Sequence, residues 1–364
     1  MTTNALTPMN DGLTALQQAK GLYEAGAAAN AAAARHAFTD YRQRKSANTL
    51  RAHDTDLALF ADFLRAFGHA VEGAALAADP GAWHGVTWGL VEGFVRWQLQ
   101  QGYAIASVNR RLSTVKKYAA LAAKAGALDT TERALIRDVA GYSHKEAKKV
   151  DEKRQDAGQD TRRLREAGRP VKKAEHVSIP PAAAKRLKRE QPDTPQGRRD
   201  AVLMCLLLDH GLRCGEVAGL TVGAVNLAEG TLTFYRPKVD KVQQHRLTKD
   251  TRAALLAYER AGDMPMTADT PLLRASRKSA GDELTHAGMS ARAITKRVRA
   301  LGQRAGLEGL SAHDCRHYWA TTAAKHKTDP FRLQEAGGWN SLAMPRRYVE
   351  AARIANEGVS LGDD

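Results

Sequence analysis

The chain has 364 residues, enough for two or three domains, and 55 Lys and Arg against 40 Asp and Glu leave a formal net charge of +15. Apolar content of 43% permits real cores, while three cysteines (Cys205, Cys214, Cys315) exclude a disulfide framework and match no zinc spacing. No apolar run approaches the roughly 18 residues of a membrane span. The opening MTTNALTPMNDG also lacks the charged and apolar regions of a signal peptide. These observations predict a soluble cytoplasmic protein of a reducing compartment, with no membrane role and a polyanionic partner, nucleic acid being the commonest.

Residues 1–45 are Ala-rich and read as an N-terminal arm, helical in part, because EAGAAANAAAAR from Glu24 favours helix but offers little to pack. Residues 46–142 read as a small all-helical domain. Leu50, Leu57, Phe60, Ala61, Leu64 and Phe67 fall on one helix face, closed by Gly68. A second helix near Trp88–Gln101 buries Val91, Phe94, Val95 and Leu99. A third, from Ser107, buries Val108, Leu112, Val115 and Ala119 and turns Arg110, Arg111, Lys116 and Lys117 outward, either solvated or against DNA. Residues 143–175 hold 11 Lys or Arg and 7 Asp or Glu with few large apolar side chains, which is the composition of a charged linker.

Residues 176–364 read as a second, mostly helical domain. AVLMCLLLDH is a helix buried nearly all round. TLTFY from Thr231 alternates as a strand, RPKVDK turns, and QQHRL returns. Thr248 and Ser290 cap the next helices, the latter carrying Arg292, Lys296 and Arg299 outward. The last helices start near His313, Phe331 and Ala343. The fold class is therefore mainly α: a helical domain followed by a mixed α/β, mostly helical domain with one small β-hairpin sheet.

Four segments of the second domain stand together: GLRCGEVAGL with Arg213 and Glu216, FYRPKVDKVQQHRL with Lys238, SAHDCRHYWATTAAKH with His313 and Arg316, and GGWNSLAMPRRYVE with Trp339 and Tyr348. In this order and spacing they resemble the tyrosine recombinase, or phage integrase, family of site-specific DNA recombinases. The resemblance makes residues 46–142 a SAM-like core-binding domain and 176–364 the catalytic domain of a C-shaped clamp on double-stranded DNA.

The resemblance assigns Tyr348 as the nucleophile that forms a 3′-phosphotyrosyl ester, so that no metal, ATP or other cofactor is needed. Arg213 and Arg316 would hold the non-bridging oxygens. Lys238 would protonate the departing 5′ oxygen, with Lys241 on the same hairpin as the rival. His313 would take the Tyr proton or orient the phosphate. Trp339, a donor only, would bond a phosphate oxygen and buttress Tyr348. Glu216 would fix Arg213 or His313. His313 and Arg316, at i and i+3, share a helix face near an N-terminus capped by Ser311 and Asp314. His317, His326, Cys214 and Cys315 read as structural, and Arg346 and Arg347 as phosphate contacts or solvated.

The family further implies a homotetramer on paired sites, Holliday-junction exchange, docking of the segment after Tyr348 on a neighbour, and accessory DNA-bending proteins. The arm and long linker favour a mobile-element integrase over an Xer-like chromosome-dimer resolvase. A type IB topoisomerase-like enzyme and a non-catalytic DNA-binding protein of the same fold are the rivals.

Overall fold

A computed structural model describes residues 21–156, 176–276 and 283–352, which divide into two units, 1–173 and 174–364. The rest of the predicted linker and arm and the end of the chain lie outside the described residues.

In the first unit the apolar periodicity becomes helices α1 (Leu22–Gln43), α2 (Ala47–Ala66), α3 (Gly73–Ala78), α4 (Trp88–Gln100), α5 (Ile105–Lys124), α6 (Thr130–Asp138) and α7 (His144–Asp156). Ser46 starts α2 by accepting from the Thr49 amide at 3.3 Å. Leu57, Phe60, Val91, Phe94, Val108 and Val115 are fully buried, each worth roughly 1.5–3 kcal/mol relative to exposure. The Ala-rich stretch does pack at its far end. Phe38 and Tyr41 of α1 meet Tyr118 edge-on at 5.8 and 5.7 Å.

The basic face predicted for α5 is divided by this packing. Arg110 donates to the buried Asp56 carboxylate at 2.6 Å, and Arg111 lies over the Tyr103 ring and donates to Gln98. Lys116 donates to the carbonyls of Arg137, at 2.7 Å, and Val139, closing the end of α6. Lys117 stands over the Tyr41 ring at 4.7 Å. Helices α1, α2, α4 and α6 all pack on α5, so little of its circumference is left to solvent. Arg111 and Lys116 are half-buried and engaged within the unit, whereas Arg110 and Lys117 keep exposed side chains.

In the second unit α8 (Pro181–Arg189), α9 (Pro195–Leu208), α10 (Cys214–Ala218), α11 (Lys249–Arg260), α12 (Ala291–Arg304), α13 (Ala312–Lys325), α14 (Pro330–Gly337) and α15 (Ala343–Ala352) surround a small antiparallel sheet. Helix α9 is central, with Val202 through Leu208 all buried, against α8, α11 and α13. The sheet runs β1 (Val225–Asn226), β2 (Thr231–Arg236), β3 (Lys241–Arg246), with Thr231 opposite Arg246 and Arg236 opposite Lys241. A second pair, β4 (Arg274–Ser276) and β5 (Leu284–Gly288), was not expected from the sequence, being short and without clear alternation. Along β2 the inward residues are Leu232, Phe234 and Arg236, so the last inward position is a fully buried cation.

Candidate active site

Arg213 ends the coil before α10, and Glu216, three residues on, folds back to it. Glu216 Oε2 accepts from the Arg213 amide at 2.8 Å and Oε1 from Nη1 at 2.6 Å. The same Oε2 accepts from Nη1 of Arg236 at 2.8 Å. Of the two partners the sequence left open for Glu216, the structure selects Arg213 and adds Arg236. The latter also donates to the Ala336 carbonyl at 2.7 Å and to Gln243. Arg236 was read from the sequence as a turn residue. Its parity with Leu232 and Phe234 in TLTFYR is the signal that places it inward.

Arg316, on the second turn of α13, is buried. It donates to the Gly211 carbonyl at 2.6 Å and to the Gly337 carbonyl, and its guanidinium lies 4.5 Å from the Trp339 ring centre. The glycines are required here. A Cβ on Gly211, at φ +61°, would stand 2.4 Å from Trp319, and one on Gly338, at φ +58°, 2.5 Å from the Arg236 side chain. The GGW turn is thus the wall against which Arg236 and Arg316 are held. Burial, then the charges of Arg213 and Arg236, disfavour the charged form of Arg316. Arg213 and Arg236 share the one buried carboxylate of Glu216, and Arg316 bonds backbone carbonyls beside them, which leaves the cluster with more positive than negative charge.

The Ser311–Asp314 cap of α13 is present: Ser311 Oγ accepts from the Asp314 amide at 3.3 Å, and Asp314 Oδ2 accepts from the Ser311 amide at 2.8 Å. It aims the first turns of α13 at the site. Tyr348, on α15, is 5% exposed, with Trp339 at 5.8 Å and His317 at 5.2 Å between ring centres. Trp339 therefore buttresses Tyr348, and stacks behind on Trp319 at 6.0 Å. Burial raises the Tyr348 phenol above its ordinary pKa, and Arg316 and Arg347 pull it down.

The imidazole nearest the Tyr348 hydroxyl is not that of His313. His317 Nε2 lies 3.5 Å from the hydroxyl and 3.2 Å from His313 Nε2, so His313 stands one ring further back. The pitch of α13, which puts positions i and i+4 on one face, is what brings His317 beside His313 and the Tyr348 hydroxyl. His176, ahead of α8, stacks on His317 at 3.6 Å, and its Nδ1 lies 3.2 Å from Asp314 Oδ1. Burial and the neighbouring His176 and His313 hold His317 down to about 4, so its ring is neutral near pH 7.

Lys238 and Lys241 are exposed at the tip of the β2–β3 hairpin, and among the described residues neither bonds to this cluster. Arg292, Lys296 and Arg299 form an exposed stripe on α12. Arg346 and Arg347 are exposed beside Tyr348. Cys315 is buried, and Cys214 meets Thr295 at 3.6 Å. No helix among the described residues is long and apolar enough to cross a membrane.

Tyrosine recombinase XerD of Neisseria meningitidis serogroup B is 28% identical over 169 residues, 46% of this chain and 55% of that protein. The chain thus spans about half the length of that relative. Tyrosine recombinase XerC of Roseiflexus sp. is 24% identical over 308 residues, 84% of this chain and 83% of that protein. In fold, the chain resembles the Tn1549 transposon integrase solved in complex with transposon right end DNA. The TM-score is 0.56 at 13% identity, over 86% of this chain and 94% of that one. The phage integrase family matches residues 178–353, and the phage integrase N-terminal SAM-like domain matches residues 37–126. With both domain types present in family order, the chain belongs to the phage integrase family of tyrosine recombinases.

Proposed function

We propose that this chain is a site-specific DNA recombinase that cleaves and rejoins duplex DNA through a 3′-phosphotyrosyl intermediate. One observation carries the reading: Arg213 and Arg236 share the single carboxylate of Glu216, Arg316 feels their charges while donating to the Gly211 and Gly337 carbonyls, and the hydroxyl of the buried Tyr348 faces a neutral imidazole. Such a cluster favours a phosphodiester, whose charge relieves the crowded guanidiniums. Arg213 and Arg316 hold the non-bridging oxygens, and Arg236 braces Glu216 and the GGW turn. The Tyr348 oxygen attacks phosphorus as its proton passes to His317, with His313 next in line. The P–O5′ bond breaks, and Lys238 on its exposed hairpin gives a proton to the leaving oxygen. The reverse attack rejoins the strand without an external energy source, because the ester keeps the bond.

The exposed stripe Arg292, Lys296 and Arg299, with Arg110 and Lys117 on the first unit, supplies phosphate contacts. Affinity therefore falls steeply with salt. Four copies assemble on two sites; monomeric protein recovered from a two-site complex would count against that assembly. Integration or excision of a mobile element is the role proposed, with Xer-like resolution as the alternative.

The test is recovery of covalent protein–DNA adducts from cells expressing the wild type and Tyr348→Phe, with sequencing of the attached ends. Adducts at one or a few sites, lost in the variant, are expected. Adducts without sequence preference would point to a topoisomerase-like enzyme. DNA binding with no adduct would point to a non-catalytic binder, and either result would overturn the proposal.

A further inference from the structure

We propose that His176, His313 and His317 form a binding site for a divalent transition ion of the zinc class, and that its occupancy turns strand cleavage off. The binding half stands on geometry alone; the switching half rests on the reading under Proposed function.

His313 and His317 are four residues apart on α13, the helical spacing that lets two imidazoles bind one zinc ion. Their Nε2 atoms are 3.2 Å apart. Two nitrogens on a tetrahedral zinc, each at roughly 2.0–2.1 Å, stand about 3.3 Å apart, so the pair needs almost no rearrangement. His176 arrives from outside the helix, and the three rings bring one ligand atom each within 4.8 Å of one another. His176 Nδ1 faces Asp314 Oδ1 at 3.2 Å, so an ion held by His176 Nε2 would have the carboxylate–imidazole arrangement that orients zinc-bound histidines. Asp314 is in turn held by the Ser311 hydroxyl at 2.7 Å and the Val177 amide at 3.1 Å. The cluster therefore has a potential ligand set and an outer partner.

Donor type sets the class of ion. Three imidazoles suit zinc, copper or nickel and offer nothing to magnesium or calcium, which take oxygen. The nearby Arg213, Arg316 and Arg347 oppose any cation, so occupancy is reversible rather than permanent. The fourth position of a three-histidine ion opens toward Tyr348, whose hydroxyl lies 3.5 Å from His317 Nε2. An ion there takes the lone pair that would accept the phenol proton and ties up the nucleophile.

The test uses the untagged full chain, titrated with Zn²⁺ by calorimetry and with Co²⁺ by visible absorption. One ion per chain with a tetrahedral Co²⁺ spectrum is expected, weakened more than about tenfold in His176→Asn and in His317→Asn. The His176 side chain is 53% exposed, so its replacement leaves the fold intact, as circular dichroism will verify. Cys214→Ser should bind as the wild type does. Equal affinity in wild type and both histidine variants overturns the site. Zinc should also abolish covalent adduct formation by the wild type, a chelator should restore it, and zinc should lower adduct formation by His176→Asn far less, measured against that variant's own metal-free rate. Undiminished adduct formation by the ion-filled wild type overturns the switch. If the metal-free wild type forms no adduct, the recombinase reading fails, while the titration has already decided the site.

Discussion

Replacing Glu216 with Gln tests the charge arrangement most directly. The carboxylate is almost wholly buried and accepts three hydrogen bonds, two from Arg213 and one from Arg236, whose side chain is itself fully buried. The amide is the same size, but it carries no charge, and its NH₂ must face either the Arg213 guanidinium or the shared Arg213 and Arg236 donors. Removing one partner of a buried ion pair costs about 3–5 kcal/mol, because the remaining charge is left uncompensated. At 1.4 kcal/mol per factor of ten, local opening should become roughly two to four orders of magnitude more frequent. Amide hydrogen exchange of peptides covering α10 and β2 reads this in the full-length protein. Exchange in α1 and α2 should be unchanged, since they belong to the other unit. An increase of less than about tenfold at α10 would refute the argument that one carboxylate holds both arginines.

Other consequences follow from the same structure. Lys238→Ala should lower the cleavage rate by about 10²–10⁴-fold, the range for loss of a general acid, and Lys241→Ala by less than tenfold; equal losses in single-turnover cleavage would reverse the assignment. Lys296→Ala on α12 should weaken DNA binding alike for all sequences and lower the salt slope by about one. Lys116→Ala should leave that slope unchanged but cost about 1–2 kcal/mol of stability in urea melts, because its ammonium closes α6. A changed slope for Lys116→Ala would restore it as a phosphate contact. The buried imidazoles of His210 and His245 are each held down to about 4 by burial and rise toward 6.5 on unfolding. The unfolded chain therefore binds more protons in that window, and stability is lost as pH falls from about 6.5 to about 4. Each histidine contributes up to about 1.4 kcal/mol per pH unit, and His245→Phe should remove its share; an unaltered slope of urea midpoint against pH would contradict this.

Much of the fold is legible in the sequence because helix periods and caps are local. The faces of α2, α4 and α5, the caps at Thr248, Ser290 and Ser311, and the β2–β3 hairpin follow from residues within a few positions of one another. The order Arg213, Lys238, His313, Arg316, Trp339, Tyr348 is likewise a property of the chain. Harder to read were features whose local signal is weak: β4 and β5, and α1, whose alanines hide the anchoring Phe38.

The sequence by itself determined which residues share a face and which chemistry the chain can carry. Tertiary packing decided which of those groups are spent on structure and which meet. Arg111 and Lys116 look as free as Lys117 in a one-dimensional pattern, yet Tyr103 and the end of α6 occupy them. Arg236 looks like a turn residue until Glu216, Ala336 and Gly338 close around it. His317 looks structural until α15 brings the Tyr348 hydroxyl to its ring. The physical reason is common to all three. Spacing along an element sets the direction of a side chain, but its partners lie on other elements or loops and are chosen by burial of the whole unit.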